Sequence, residues 1–202
     1  MCGIIGYTGS EDVREVLLDA LELLEYRGYD SAGIALRDEE SGKTEVRKCA
    51  GRVSDLRAIC ASEKVVSQCG IGHTRWATHG GVNDCNAHPH QVGKVTLVHN
   101  GIIENYDLAD TLKSETDSEV VAALLNRFYE GKPEEAIKKT VSKLKGTFAL
   151  VILFEDQKDV IYSTRNVSPI VATICKEGAM LASDLTALCR FTNRYFVVPE
   201  YH

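Results

Sequence analysis

The chain has 202 residues, a formal net charge of −6 and a sequence pI near 5.5. Its hydrophobic fraction of 44% is that of an ordinary globular domain, and a chain of this length buries a sizeable core without disulfides or metals. The acidic balance argues against a broad nucleic-acid surface. No apolar run is long enough to cross a bilayer. We therefore expect a cytoplasmic protein that binds neither nucleic acid nor membranes.

The seven cysteines give a second indication of the compartment. Their number is odd and no C-x-x-C spacing occurs, so the sequence predicts neither a disulfide framework nor a zinc site. A reducing environment with mostly buried thiols is the simplest interpretation for six of them. Cys2 is the exception, because it directly follows Met1 and chain termini tend to fray.

The first half of the chain is predicted to combine short strands with one helix. Residues 3–8 form the first predicted strand, which ends at Gly9. An apolar stripe over residues 11–25 predicts a helix, with Glu11 and Asp12 in the first turn, where the helix dipole favours acidic side chains. Further strands are predicted at 31–37, 44–49, 69–75 and 94–99.

The second half groups two helices between strands. One helix is predicted to start at Thr116, with Glu119 completing a capping box, and the next to start at Pro133 and end at Gly146. The apolar run 147–154 predicts a strand covered on both faces. The remaining strands are predicted at 159–164, 170–175, 179–182 and 195–199. This order predicts an α+β fold in which two sheets lie between helix layers, within one domain spanning residues 1–202.

Four stretches carry more glycine and polar residues than packing requires, and they lie at predicted strand ends or in loops, where functional groups usually reside. They are EYRGYDSAG (25–33), GHTRWATHGG (72–81), NAHPH (86–90) and HNGIIENY (99–106).

Each stretch has a purely structural interpretation when it is taken alone. Arg27 is typical of a surface arginine paired with Glu25 or Asp30. Asn100-Gly101 is typical of a hairpin turn, and Arg75-Trp76 is equally compatible with a structural cation–π pair.

The histidines do not predict a metal site. Their spacings, H-x5-H and H-P-H, differ from closed zinc patterns, so we expect no bound metal. Buried or supporting roles are the better interpretation, and His88, His90 and His99 are expected to organise the loops.

Six motifs in order resemble the class II glutamine amidotransferases, which are N-terminal nucleophile hydrolases, and the resemblance covers nearly the whole chain. The motifs are MCGIIGY, LEYRGYDSAGIA, GHTRWATHGG, NAHPH, HNGIIENY and SETDSEV. Within this family, RGYDSAG and HTRWATHG are most similar to the glutaminase domains of glucosamine-6-phosphate synthases. The resemblance implies a four-layer αββα sandwich of two mostly antiparallel sheets between helix layers, the fold of the N-terminal nucleophile hydrolases, and no cofactor.

The resemblance also implies the chemistry. If Met1 is removed, Cys2 carries both a thiol and a free α-amine. An α-amine titrates near ~7.7–8.0 and a thiol near ~8.5, so the amine accepts the thiol proton and no separate histidine base is needed. The thiolate then attacks the side-chain amide of glutamine, ammonia leaves, and water hydrolyses the γ-glutamyl thioester to glutamate.

Three residues are assigned to the reacting centre by the resemblance. Asn100 offers its side-chain amide, and Gly101 its backbone N–H, to the negative oxygen that forms during attack. Gly101 is also expected to leave room for the substrate. Arg27 is expected to hold the nucleophile in place.

Five further residues are assigned to the glutamine zwitterion. Arg75 is expected to bind the α-carboxylate through two parallel hydrogen bonds, and Asp117 the α-ammonium. Thr78 and His79 are expected to contact the substrate, and Trp76 to lie on a loop that closes over it.

Two departures from the family pattern stand out. The segment 107–113 is shorter than expected, directly before Asp117. The synthases also continue into two sugar-phosphate isomerase domains, whereas this sequence stops at VVPEYH, so we expect an excised domain. In the full-length enzyme, expected to be a homodimer, the ammonia would convert fructose 6-phosphate to glucosamine 6-phosphate.

Two alternatives remain open at this stage. One is the glutaminase domain of another class II amidotransferase, from the purine pathway or asparagine formation. The other is a non-catalytic glutamine-binding module.

Overall fold

The computed structural model describes residues 2–62, 65–78, 80–108 and 112–201. Within these ranges none of the helices is both long and apolar enough to span a bilayer. The helices, numbered in chain order, are α1 (Val13–Leu24), α2 (Val53–Cys60), α3 (Asp117–Phe128) and α4 (Pro133–Val141).

The strands form two sheets in which every described pair of neighbours is antiparallel. The large sheet contains β1 (Gly3–Gly9), β2 (Ser31–Arg37), β3 (Thr44–Ala50), β4 (Cys69–Arg75), β9 (Val171–Cys175), β10 (Gly178–Ala182) and β11 (Phe196–Val197). Its strand order is β11-β9-β10-β1-β4-β2-β3. The small sheet contains β5 (His90–Val92), β6 (Val95–Ile103), β7 (Gly146–Phe154) and β8 (Tyr162–Asn166), in that order.

Three apolar clusters hold the layers together. The first packs α1 and α2 onto the large sheet, and the second packs α3 and α4 onto the small sheet. The third joins the two sheets, with Ile4 and Ile71 from the large sheet against Val98 and Val151 from the small one. The four-layer αββα arrangement predicted from the sequence is therefore confirmed.

Strand β7 is apolar from Phe148 to Phe154 because both of its faces are covered. Leu150 and Ile152 face the helices, whereas Ala149 and Val151 face the large sheet. Both faces are covered, as predicted, because the strand lies between two apolar layers.

The Asn100-Gly101 pair corrects a local prediction. The hairpin-turn interpretation is wrong, because both residues lie inside β6 and pair with Ala149 and Phe148 of β7. The ladder between the two strands overrides the local turn preference of Asn-Gly.

Helix starts also differ from prediction. Asp12 is the N-cap of α1, and its side chain accepts a hydrogen bond from the Glu15 backbone N–H at 3.3 Å. The predicted capping box of α3 is wrong. The Glu119 carboxylate instead accepts from the backbone N–H groups of Lys113 and Ser114, the latter at 2.6 Å.

Several other elements also differ from the predictions made from the sequence. The sequence patterns predict neither helix α2 nor strand β5. The strand predicted at 159–164 begins only at Tyr162, and the one predicted at 195–199 is reduced to Phe196–Val197.

None of the seven cysteines, all of which lie in the described ranges, forms a disulfide. The predicted burial is confirmed for Cys49, Cys60 and Cys69. The prediction is wrong for Cys85 and Cys189, which are exposed. Cys175 is half-buried.

Candidate functional site

Cys2 sits where the central strand of the large sheet begins. Strand β1 lies between β10 and β4, and the Ile4 backbone N–H donates to Ser183 Oγ at 2.9 Å while the Ser183 N–H donates to Ile4 O at 3.0 Å. Two neighbouring strands therefore hold this end of the chain, which explains how a terminal thiol can be placed with accuracy.

The environment of the Cys2 thiol keeps it protonated. Burial raises the pKa of the thiol, opposed in part by the Trp76 backbone N–H, which donates to Sγ at 3.2 Å. The thiol needs a base before it can act as a nucleophile, since the thiolate is the reactive form.

Two side chains bind the Cys2 backbone carbonyl oxygen. Asn100 Nδ2 donates to it at 2.9 Å and Arg27 Nε at 3.1 Å. Arg27 Nη1 also donates to Asp184 Oδ2 at 2.8 Å. The surface-arginine interpretation of Arg27 is wrong, because its side chain is only 9% exposed and bridges Cys2 and Asp184.

Two adjoining cavities open beside the thiol, one of about 310 Å³ and one of about 30 Å³. Both are lined by Cys2, Trp76, Thr78 and Gly101. The larger cavity adds Arg27 and Asn100, and the smaller one adds Arg75 and Asp117. Every site residue expected from the sequence therefore lines one of the two cavities, except His79, which lies outside the described residues.

The smaller cavity has a cation and an anion in its wall. Arg75 ends β4 and is 4% exposed, and burial lowers its pKa, while the charges of Cys2, Asp30 and Asp117 oppose that shift. Asp117 is the first residue of α3, and its Oδ2 accepts from the Ile103 backbone N–H at 2.7 Å. This pair matches the two charges of an α-amino acid.

The segment carrying Asp117 is tied to the loop that follows β4. Asn86 Nδ2 donates to Gly81 O at 3.0 Å and to Glu115 Oε2 at 2.8 Å, and the Glu115 N–H donates back to Asn86 Oδ1 at 2.9 Å. Arg75 Nη1 donates to the same Gly81 oxygen at 3.1 Å. The short 107–113 segment, of which 109–111 lie outside the described residues, therefore leaves Asp117 at the cavity.

The backbone at Gly101 has its own requirement for glycine. Its φ is +139°, and a Cβ there would lie 2.0 Å from the Thr147 carbonyl oxygen of the adjacent strand. The close approach of β7 therefore excludes a side chain, and the expected room for a substrate beside Gly101 stays a prediction.

Trp76 lines both cavities. The residue is 47% exposed, and its ring packs edge-to-face on Tyr29 with the ring centroids 6.0 Å apart. Closure of its loop over a substrate stays a prediction.

The buried histidines form one cluster. The rings of His73 and His88 stack with centroids 4.1 Å apart, and His90 packs against His88 at 4.6 Å. Burial lowers the pKa of each of these imidazoles, that of His73 to about 3, so they are neutral. Within the described ranges no three His, Cys, Asp or Glu side chains are arranged to hold a metal ion.

Sequence reasoning missed two contributors to the site. Asp184 is 157 positions from Arg27 in the chain, and its local pattern indicates only an N-cap, where its Oδ1 accepts from the Thr186 N–H at 2.9 Å. For His73 the sequence predicts only the buried or supporting role expected of the histidines in general, without its contacts to His99 and Asn100. No local signal identifies either contact, because both depend on strands that meet only in the folded chain.

Replacing Asp117 with Asn is expected to raise the KM for glutamine about ten- to hundredfold, since a hydrogen bond to a charged group is lost while an oxygen remains for the Ile103 N–H. Steady-state assays of glutamate release at varied glutamine concentration measure this KM. The matched control is Asp107→Asn on an exposed 3₁₀ turn, which should leave KM unchanged. An unaltered KM in Asp117→Asn would contradict the assignment of Asp117 to the α-ammonium.

Comparison with known proteins agrees with this geometry. Residues 77–190 match the glutamine amidotransferase domain family. The glutamine–fructose-6-phosphate aminotransferase (isomerizing) of Shouchella clausii is 47% identical over 99% of this chain and 35% of its own length. The Bacillus subtilis enzyme of the same name is 46% identical over 96% of this chain and 34% of its own. The chain thus spans about a third of the length of these curated relatives.

Solved structures support the fold and the family. Glutamine phosphoribosylpyrophosphate amidotransferase from B. subtilis is 25% identical, with a TM-score of 0.82 over 98% of this chain and 46% of that chain. A structure described as the allosteric regulatory enzyme of purine biosynthesis is 26% identical, with a TM-score of 0.84 over 98% of this chain and 45% of that one. The chain therefore belongs to the glutamine amidotransferase domain family.

Proposed function

We propose that the chain hydrolyses the side-chain amide of L-glutamine to glutamate and ammonia through a cysteinyl thioester on Cys2. One observation carries the proposal. The Cys2 thiol lies at the junction of two cavities, with amide donors on one side and the Arg75/Asp117 charge pair on the other. A glutamine whose charged end is held by that pair presents its side-chain amide to the sulfur.

Removal of Met1 is the first step of the proposed mechanism. The α-amine of Cys2 then takes the thiol proton, directly or through water, and Sγ attacks the amide carbon. The protonated amine gives its proton to the leaving ammonia. The same amine next activates the water that hydrolyses the thioester, releasing glutamate and restoring the thiol.

Asn100 is suited to stabilise the oxyanion. Its amide nitrogen has two hydrogens, of which one donates to the Cys2 carbonyl oxygen at 2.9 Å. The other is available to the negative oxygen that forms beside Sγ, together with the Gly101 N–H. Donors held in place before attack stabilise the transition state without reorganisation.

Arg27 is proposed to orient the nucleophile. Its guanidinium is fixed by Asp184, to which Tyr26 Oη also donates at 2.8 Å. Because Arg27 and Asn100 bind the same carbonyl oxygen, the rotation of the first peptide of the processed chain is restrained.

We further propose that residues 1–202 are the glutaminase domain of a longer cytoplasmic enzyme. The relatives are about three times as long and are named for glutamine and fructose 6-phosphate. On this proposal, sugar-phosphate isomerase domains following this segment use the ammonia to make glucosamine 6-phosphate from fructose 6-phosphate, the first step of hexosamine biosynthesis. The full-length enzyme is proposed to be a homodimer.

Identity levels favour this acceptor over a purine precursor. The chain is 41% to 48% identical to aminotransferases named for fructose 6-phosphate, against 25% and 26% to the two purine-pathway structures. A purely glutamine-binding module is disfavoured because Arg27 and Asn100 would have no reason to fix the main chain beside a thiol.

The processed chain is expected to release glutamate and ammonia in equal amounts from glutamine and to leave asparagine, one methylene shorter, unchanged. Mass spectrometry first verifies that Met1 is absent. Added hydroxylamine is expected to yield the γ-glutamyl hydroxamate, because it intercepts the thioester. If protein lacking Met1 releases no glutamate, the proposed function is wrong.

A further inference from the structure

The His73 side chain connects the two sheets at the candidate site. His73 lies in β4, where it pairs with Ile4 of β1 and Gly33 of β2. Its Nε2 reaches across to the small sheet, 3.1 Å from the His99 carbonyl oxygen and 3.1 Å from Asn100 Oδ1. The imidazole is 1% exposed.

These distances fix the tautomer of His73. A carbonyl oxygen only accepts hydrogen bonds, and so does the oxygen of a side-chain amide, so Nε2 must carry the proton. Nδ1 has no hydrogen-bond partner among the described residues, and the ring stacks on His88. A second proton would leave a buried cation on Nδ1 without an acceptor, so His73 is a neutral imidazole that donates from Nε2.

We infer that His73 is the positioning residue that sets the amide orientation of Asn100. Because Asn100 Oδ1 accepts the hydrogen bond from His73 Nε2–H, the NH₂ group of the amide must point toward the Cys2 carbonyl oxygen. The inference rests on the proposed glutaminase function, because only there does the direction of that NH₂ group affect a reaction rate.

The opposite amide orientation is excluded by contacts at both ends. Rotation by 180° would place Oδ1 where Nδ2 now lies, 2.9 Å from the Cys2 carbonyl oxygen, so that two acceptors would face each other. It would also bring the NH₂ group against the Nε2–H of His73. His73 and the Cys2 carbonyl oxygen together hold the carboxamide in one orientation, and His73 does so without itself touching the substrate.

His73 also links substrate binding to the oxyanion donors. It lies two residues before Arg75 in β4 and contacts β6 at His99 and Asn100. One side chain therefore connects the strand that carries Arg75 with the strand that carries the amide donor.

The test compares two substitutions of similar size, His73→Gln and His73→Met. The Gln side chain places an N–H donor near the position of Nε2, whereas Met has none. With Asn100 present, kcat is expected to be about ten- to hundredfold lower for His73→Met than for His73→Gln, because small misplacements of a catalytic group cost rates of this order. KM should differ by less than about threefold, since neither variant alters Arg75 or Asp117.

The same two substitutions are then made together with Asn100→Ala. Asn100→Ala alone is expected to lower kcat on the order of 10²–10³. In this background His73→Gln and His73→Met should have the same kcat, since the group that His73 positions is gone. Thermal unfolding establishes that all variants are folded. Equal kcat values with Asn100 present, or a difference that persists in Asn100→Ala, would overturn the inference.

Nitrogen NMR of the parent chain gives a readout that does not need activity. The His73 ring is expected to be neutral with its proton on Nε2, and Asn100→Ala is expected to shift that signal. A proton on Nδ1 would overturn the inference even in an active enzyme. If the parent releases no glutamate but His73 shows the Nε2–H tautomer, the proposed function fails and the positioning contact stands.

Discussion

Cys2→Ala is expected to reduce glutamate release to the uncatalysed background while leaving glutamine binding nearly intact. The substitution removes the sulfur that is proposed to form the covalent bond to the substrate, and loss of a nucleophile costs on the order of 10⁶ in kcat. Arg75 and Asp117, which are proposed to bind the zwitterion, remain. Release of glutamate from labelled glutamine measures the first effect, and titration calorimetry measures the second.

The matched control is Cys189→Ala. Cys189 is exposed, lies outside both cavities and donates from Sγ to the Leu185 carbonyl oxygen at 3.2 Å. It should retain the parental rate, which separates the loss of one particular thiol from the loss of any thiol. Cys2→Ala protein that keeps a tenth of the parental rate would show that another group attacks the amide.

The layers of the fold could be predicted because they depend on local periodicity. Helix α1 buries Val13, Leu17, Leu21 and Leu24 at helical spacing, and β7 is apolar and buried from Phe148 to Phe154. Helix α2 was missed because its eight residues form only about two turns, too few for a stripe to stand out.

The site was only partly predictable from the residues themselves. Without the family resemblance, Arg27 and Asn100-Gly101 had better local explanations than catalytic ones. Those explanations failed because the partners are distant in sequence. Arg27 meets Asp184 across 157 positions, and Asn100 meets Cys2 across 98. Pairing of this kind is decided by which strands become neighbours, and a local sequence pattern does not record it.

The contacts around Cys2 restrain both its main chain and its sulfur. Asn100 and Arg27 bind the carbonyl oxygen, while the sulfur accepts a hydrogen bond from the Trp76 N–H and donates one to the Trp76 carbonyl oxygen at 3.7 Å. A nucleophile restrained at both places keeps its own amino group at a fixed distance from the thiol. The arrangement favours a mechanism in which residue 2 supplies the base as well as the nucleophile.

An additional glycine in front of Cys2 is expected to lower kcat about 10²- to 10⁴-fold, the usual contribution of a general base. The amine becomes an amide and no longer accepts a proton. The neighbouring imidazoles do not replace it, because burial lowers the pKa of His73 to about 3 and that of His88 well below its usual value.

Two versions of the chain, released from one fusion by a site-specific protease, isolate this effect, since one begins at Cys2 and the other at the extra glycine. Glutamine binding and thermal stability should match between them. For the version that begins at Cys2, kcat/KM should rise with pH and level off above the ordinary pKa of an α-amine, ~7.7–8.0, because the base acts only in its unprotonated form. The extended version should lack that titration, and if it hydrolyses glutamine at the full rate with the same pH profile, the α-amine is not the base.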